Sequence, residues 1–205
     1  EHISAFLVPA DTPGVKVGDK ERKMGQQGAW CADVYFDNCR VPADAIIGGV
    51  EGKGFATAMK SLDRGRINVS SVCVGQARRI LFEATRYAVE RRQFGQRIGD
   101  FQLIQAMLAD SKADLYAAEC MLRDVARRYD SGERVSLEAS CTKMFASEMV
   151  GRIADRAVQI HGGAGYMRDS AVERFYRDVR LFRIYEGTTQ IQQLIIGREL
   201  IRQAS

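Results

Sequence analysis

Arg183-Ile184-Tyr185-Glu186-Gly187-Thr188-Thr189-Gln190-Ile191-Gln192 sets one carboxylate between a tyrosine and a glycine, directly before a run that reads as a helix start. A short connection of this kind holds its carboxylate more firmly than a mobile loop. Glycine after the glutamate removes a side-chain obstacle, so the backbone can come close to whatever lies over the carboxylate. That suits a base working on a bound ligand. A plain structural reading stands beside it: a glutamate that favours a helix N-terminus through the macrodipole.

Outward from this stretch the chain reads as helices. The last starts near Thr188 and turns Ile191, Leu194, Ile195 and Leu200 inward. Ser170-x-x-Glu173 has the form of a capping box for a short helix running through Arg180. Gly162-Gly163-Ala164-Gly165 stops a helix over about 135–160 that carries Leu137, Cys141, Met144, Phe145, Met149 and Ile153 on its inner face. Ser131-Gly132 stops another, over about 101–129, with Ile104, Leu108, Leu115, Leu122, Val125 and Tyr129 at three- and four-residue steps. The first begins at Phe55 and runs through Tyr87-Ala88, with Phe55, Met59, Leu62, Ile67, Val69, Val72, Ile80, Leu81 and Ala84 roughly on one side. Long amphipathic helices with short polar connections predict a mainly α class and an antiparallel four-helix-type bundle over 51–205.

Residues 1–50 read as β-structure. Ile3, Phe6 and Val8 form a short run stopped by Pro9, and Asp11-Thr12-Pro13-Gly14 has turn chemistry. Ala32, Val34 and Phe36 alternate with Asp33 and Tyr35, which predicts a half-buried strand over Cys31–Phe36. Asp37-Asn38 then turns the chain towards Val41-Pro42.

Composition narrows the function. The 205 residues carry a formal charge of only +4. Arginine outnumbers lysine and is interspersed with acid, which points to anionic ligands such as nucleotide phosphates and away from nucleic acid. No apolar run approaches the ~20 residues of a membrane span. The five cysteines are scattered without a Cys-x-x-Cys, so neither a zinc site nor a disulfide framework is implied, and a reducing compartment fits better.

Two further stretches, Arg91-Arg92-Gln93-Phe94-Gly95 and Gln159-Ile160-His161-Gly162-Gly163-Ala164-Gly165-Tyr166, complete a set with Tyr185-Glu186-Gly187-Thr188. In this order and spacing the chain resembles, over almost all of its length, the C-terminal part of an acyl-CoA dehydrogenase. The resemblance implies an N-terminal helical domain and the first half of a β-domain ahead of the region in hand, so the sequence is expected to be part of a longer protein. It implies FAD as cofactor, an acyl-CoA thioester as substrate, and electron-transferring flavoprotein as electron acceptor. It also implies a homo-oligomer built as a dimer of dimers, in a bacterial cytoplasm or a mitochondrial matrix. No metal, nucleic acid or membrane enters the reading.

The same resemblance assigns residues. Glu186 is the base for the α-proton, with its own backbone N–H helping to hold the thioester oxygen. Arg91 matches the arginine at the FAD pyrophosphate, with Gln93 and Phe94 flanking it and Phe101-Gln102 following on the next helix. Gln159, Ile160, His161, Gly162 and Gly163 match a turn against the adenosine side, and Thr188, Thr189 and Gln190 match contacts at the last helix start. The arginine motif and the Gly-Gly turn are expected to reach the FAD of a neighbouring subunit. Asp63, Arg66, Gly187 and Arg198 match substrate and CoA contacts. In other branches of the family the base sits one residue before an arginine that here is Arg66. That position is Gly65, which leaves Glu186 as the family-type base and suggests short, medium or modestly branched acyl groups.

Each assignment has a plainer alternative: Arg91 as a helix-end arginine, Gly162-Gly163 as a helix stop, His161 as a satisfied structural histidine, Asp63 as an arginine partner and Arg198 as surface decoration. Two stretches depart from the family pattern, Gln26-Gln27-Gly28-Ala29-Trp30 and Arg64. Trp30 is open to two readings, as part of a flavin or acyl frame or as core. Two other functional classes remain beside the dehydrogenase: an acyl-CoA oxidase-like flavoenzyme, and a non-catalytic oligomerisation or binding module.

Overall fold

The computed structural model describes residues 3–205. The chain divides into two compact units, one reaching to Leu62 and the other spanning Asp63–Ser205.

In the first unit, strands β1 (Val15–Val17) and β2 (Val34–Phe36) pair antiparallel, Val15 opposite Phe36 and Val17 opposite Val34. Gly14 turns into β1 at φ 91°, and its carbonyl accepts a hydrogen bond from the Asp37 amide (2.9 Å). The run at Ile3, Phe6 and Val8 makes a single bridge, Phe6 to Ile46, in place of a strand. The strand expected over Cys31–Phe36 is shorter, and Val34 and Phe36 are exposed where half-burial was expected. Alternation decides which side chains share a face, but burial needs a second layer, and no described apolar side chain of this unit is buried. Trp30 is not core either: it is 80% exposed, with the Lys20 ammonium 5.2 Å from its ring centroid.

Five helices dominate the rest. They are α1 (Gly54–Glu90), α2 (Gln102–Asp130), α3 (Ser136–His161), α4 (Ala171–Val179) and α5 (Thr189–Ala204). The division between the units falls within α1. Beyond it, α1 buries Val69, Cys73, Val74, Ala77, Ile80, Ala84 and Ala88, a stripe at three- and four-residue steps. Val72, expected inward, is exposed one position off that stripe. On α2, Leu115, Ala118 and Val125 are buried, whereas Tyr129 is exposed in the last turn.

Helix α3 is the centre of the second unit. α2, α4 and α5 all pack on it, so it is buried around much of its circumference and not along one stripe. Small residues let these neighbours approach, and the buried hydroxyls of Ser140 and Thr142 bond back to the Ser136 and Glu138 carbonyls (2.8 and 2.7 Å). Asp114 of α2 grips Arg152 and Arg156 of α3, each at 3.0 Å, outside the core.

Two helix expectations change. Ser170 precedes α4 but makes no capping bond; Glu173 instead holds Arg177 through two contacts (2.6 and 2.9 Å), so the capping box is absent. On α5 the buried side chains are polar, Thr189 and Gln192, while Ile191, Leu194 and Leu200 are exposed. The α5 face that meets α3 is chosen by hydrogen bonding, as the site geometry makes plain. Among the described residues no helix is long and apolar enough to cross a membrane.

Candidate active site

The turn Arg180–Arg183 after α4 buries Phe182, whose ring stacks on Tyr185 with centroids 5.8 Å apart. Beyond this anchor Glu186 stands at φ 53° and Gly187 at φ 87°. Left-handed backbone costs a non-glycine residue about 1–3 kcal/mol, so the surroundings must hold it there.

Three side chains do so. Lys143 of α3 is fully buried and donates from Nζ to the Gly187 carbonyl (2.7 Å). Gln192 of α5, equally buried, donates from Nε2 to the Gly187 and Glu186 carbonyls (3.1 and 3.2 Å). Glu148 of α3 accepts from the Thr189 hydroxyl (2.7 Å) and from Arg183 (3.3 Å). Thr188 caps α5, its hydroxyl oxygen accepting from the Ile191 amide (3.3 Å). A Cβ on Gly187 would stand 2.5 Å from the Gln192 amide nitrogen, so glycine is required there twice over, by φ and by space.

The carboxylate carried by this turn is unusual in one respect. Glu186 Oε2 is buried and has no hydrogen-bond partner among the described residues. A Cβ at position 65 of α1 would overlap that oxygen. Unpaired buried polar atoms are rare and call for an explanation. Nearby, Asp63 accepts from Arg66 and from the Ser136 hydroxyl (2.6 Å each). Arg66 is buried, with its Nε unpaired. Burial holds Lys143 below the ordinary lysine range; Cys73, Glu148 and Glu186 pull it back up, while Arg66 pushes the same way as burial. Burial drives the Cys73 thiol up to about 12, so it stays protonated. Arg198 lies exposed on α5 and Arg64 exposed on α1.

A second group of expected residues gathers elsewhere in the unit. Strands β3 (Arg92–Gln93) and β4 (Gln96–Arg97) form a hairpin whose tip, Phe94 and Gly95, has φ 54° and 81°. Two positive φ values define the tight turn that suits a hairpin's twist. Phe94 occupies it 92% exposed, its ring edge-on to Phe101 at 6.1 Å. Arg91 is exposed at the helix-to-hairpin junction, where the Ile98 amide bonds its carbonyl (2.9 Å), and Gln102 opens α2.

His161 stacks on Tyr87 of α1 (4.1 Å, 20°), and its Nδ1 meets the Ala157 carbonyl at 2.8 Å. This contact ties the Gly162-Gly163 turn to the end of α1 that leads into Arg91. Gln159, Gly162 and Gly163 are exposed, while Ile160 points into the core. Beside them opens a cleft of about 550 Å³ with Glu83 held between Arg79 and Arg86.

The expected residues therefore fall into two groups. Glu148, which ties the Glu186 turn to α3, and Gln159 lie about three turns apart on that helix, roughly 16 Å along its axis. Lys143, Glu148 and Gln192 were not singled out from sequence. The available signal was a lysine on the same helical face as Ala139, Ala146 and Val150, a cation where the pattern otherwise demands small apolar residues.

Residues 52–201 match the family described as acyl-CoA dehydrogenase, C-terminal domain. The chain belongs to the acyl-CoA dehydrogenase family. Among curated relatives of this family, it is 46% identical over 200 residues to the caffeyl-CoA reductase-Etf complex subunit CarC of Acetobacterium woodii, covering 98% of this chain and 52% of the relative. Among solved structures, butyryl-CoA dehydrogenase from Megasphaera elsdenii superposes with a TM-score of 0.95 at 38% identity, over 98% of this chain and 52% of that one. An acyl-CoA dehydrogenase from Bacillus anthracis complexed with FAD gives a TM-score of 0.94 at 34% identity, over 100% of this chain and 38% of that one. The chain thus spans about half the length of the acyl-CoA dehydrogenase relatives it matches.

Proposed function

We propose that the protein catalyses FAD-dependent α,β-dehydrogenation of an acyl-CoA thioester to the 2-enoyl-CoA, with Glu186 as the base. The observation that carries this reading is the Glu186 carboxylate itself: one oxygen buried and unpartnered, on left-handed backbone held by Lys143 and Gln192. A carboxylate oxygen left without a donor keeps its lone pairs for a substrate proton. The pinned turn would also aim the Glu186 N–H at the thioester oxygen, where negative charge grows as the α-proton leaves.

FAD, when bound, supplies the acceptor for the hydride from Cβ. The residues present fit such a group. Phe94 is an aromatic ring presented to the outside on backbone that disfavours it, and Gln159, Gly162 and Gly163 are exposed at a turn tied to the end of α1 through the His161–Tyr87 stack. Arg91, Gln93, Phe94, Phe101 and Gln102 would hold one flavin together with that turn. Thr188 and Gln190 would meet another, and the two-group arrangement favours cofactors shared across a subunit contact in a homo-oligomer. Ile160 and Thr189, with side chains turned inward, would contribute through their backbones. Asp63, Arg66 and Gly187 would face the thioester end of the substrate, and Arg198 its CoA phosphates.

The domain reading that goes with this function is the end of a β-domain over 1–50 and a helical domain over 51–205, supported by the family match from residue 52. Electron-transferring flavoprotein is the partner favoured by the kinship to an Etf-complex subunit, and bacterial relatives favour a bacterial cytoplasm. The 46% identity to a caffeyl-CoA reductase also favours a second reading, the reverse reaction, in which Glu186 returns a proton to Cα.

The test is anaerobic. Acyl-CoAs of graded length and branching are added to the FAD-loaded protein and its Glu186→Gln variant, and the oxidised flavin absorbance is followed. Bleaching by one class of thioester, lost in a variant that still binds it, supports the proposal. Bound flavin that no thioester bleaches and no enoyl-CoA reoxidises would sink both readings.

A further inference from the structure

We propose that Lys143 is a positioning residue for the reaction: from the N-terminal third of α3 it fixes the Glu186-Gly187 turn, and with it the direction of the Glu186 carboxylate. The inference rests on the proposed role of Glu186 and extends it to a residue outside every motif of the family resemblance.

A lysine with none of its surface exposed, two turns into the most enclosed helix, carries a large desolvation penalty. An apolar side chain of the same volume generally packs as well or better in such a place. What distinguishes Lys143 is its acceptor. Nζ reaches the Gly187 carbonyl at 2.7 Å, across from α3 to the connection before α5. The same carbonyl takes a second donor, Gln192 Nε2 at 3.1 Å, and that amide also spans to the Glu186 carbonyl at 3.2 Å.

Two consecutive carbonyls are thereby aimed into the protein. Because a peptide unit is planar and trans, fixing a carbonyl fixes the N–H on the opposite edge and the Cα positions at both ends. With Glu186 and Gly187 at φ of 53° and 87°, the fixed peptide between them narrows the direction open to the Glu186 Cα–Cβ bond. That direction puts Oε2 against Gly65 with no hydrogen bond to steady it. The carboxylate is therefore held through its backbone, and the backbone is held by Lys143 and Gln192. Gln192 belongs to the helix that the turn itself begins, so of the two side chains donating to these carbonyls only Lys143 stands on a separate helix.

The proposal is tested on the FAD-loaded protein with Lys143→Met, which keeps the chain length without the donor, and Lys143→Arg, which keeps a donor. Amide hydrogen exchange over 183–192 is expected to speed at least about tenfold in the methionine variant, while peptides from α2 and the C-terminal half of α3 stay as in wild type. In turnover, kcat falls about 10- to 100-fold with KM within about twofold, since misplacing a catalytic group by an ångström costs on that order. The arginine variant recovers part of the protection and part of kcat.

Unchanged exchange at 183–192 overturns the proposal, and so does acceleration spread evenly over α2 and α3, which would make Lys143 an ordinary core residue. Should Lys143→Met not fold, Lys143→Gln, too short to reach the carbonyl, is read by the same criteria; failure of both to fold also overturns it. The exchange measurement needs no turnover. A wild type that reacts with no thioester therefore defeats the proposed function without deciding the role of Lys143.

Discussion

Gly65 and Glu186 share one space. A Cβ built on Gly65 in α1 would overlap Glu186 Oε2 and stand 3.0 Å from its Cδ. A side chain at position 65 and a carboxylate at this place are therefore mutually exclusive, a steric fact that accords with glutamate standing at one of the two positions and glycine at the other.

Gly65→Ala separates stability from activity. Alanine in place of a helical glycine gains about 1 kcal/mol of helix propensity, and the overlap falls on the movable end of a side chain, so the carboxylate yields and the fold does not. The expected outcome is a melting temperature at or above wild type with kcat lowered by about tenfold or more. Melts and anaerobic flavin reduction on one preparation check it; full activity in the folded variant rejects the contact as important.

Gly187→Ala has the opposite signature. Its φ of 87° and the Gln192 amide 2.5 Å from the added Cβ both resist the change. Stability should drop by about 2 kcal/mol, read from the urea midpoint at constant m, with activity lost alongside. A midpoint within error of wild type would mean that the turn relaxes freely.

Phe94→Asn should stabilise and impair at once. Asparagine tolerates left-handed backbone, and Asn-Gly is a favoured pair at such a hairpin tip. FAD-free protein is expected to gain about 0.5–1 kcal/mol, a rise of a few degrees in Tm. FAD affinity by titration calorimetry should fall, because a 92% exposed ring has been removed. Unchanged affinity would take Phe94 out of the cofactor site.

Asp114 should contribute to the acid limit of stability. Burial works to raise its pKa, but hydrogen bonds from Arg152 and Arg156 and their charges outweigh it, leaving the group below its ordinary 3.8. A folded pKa below the unfolded one means stability that is present above pH 3.8 and lost as pH falls towards the folded value. Asp114→Asn should therefore cost about 1 kcal/mol at pH 6, a partly exposed pair being worth little more, and the gap to wild type should narrow below pH 4. Urea titrations at pH 6 and pH 3 decide it: a gap of equal size at both would assign the loss to packing and not to charge.

Much of the helical architecture could be read directly from the chain. Apart from Val72, the periodic apolar residues from Val69 to Ala88 and from Ile104 to Val125 are buried or partly buried, and Ser131-Gly132 and Gly162-Gly163 stop helices where such residues stop them. Local chemistry is enough there, because helix ends and apolar stripes depend on neighbours three or four residues away. Where a second layer decides the outcome, pattern misled: Val34 and Phe36 alternate as a half-buried strand should but are exposed, and the apolar residues Leu194 and Leu200 of α5 lie outside. The Ser170 capping box failed for a related reason, since Glu173 found Arg177 one turn on and no longer reached back.

By itself the sequence determined the family, the helices and the identity of the candidate base, because these are written in short motifs and short-range periodicity. Only the tertiary structure decided what Glu186 rests against and what holds it. Gly65, Lys143, Glu148 and Gln192 come from three separate helices; a lysine on an apolar helix face marks Lys143 as out of place, but nothing local names the carbonyl it meets or the glycine that faces the carboxylate. Such contacts exist once the helices have packed, when burial makes each unpaired polar group costly and leaves these few partners within reach.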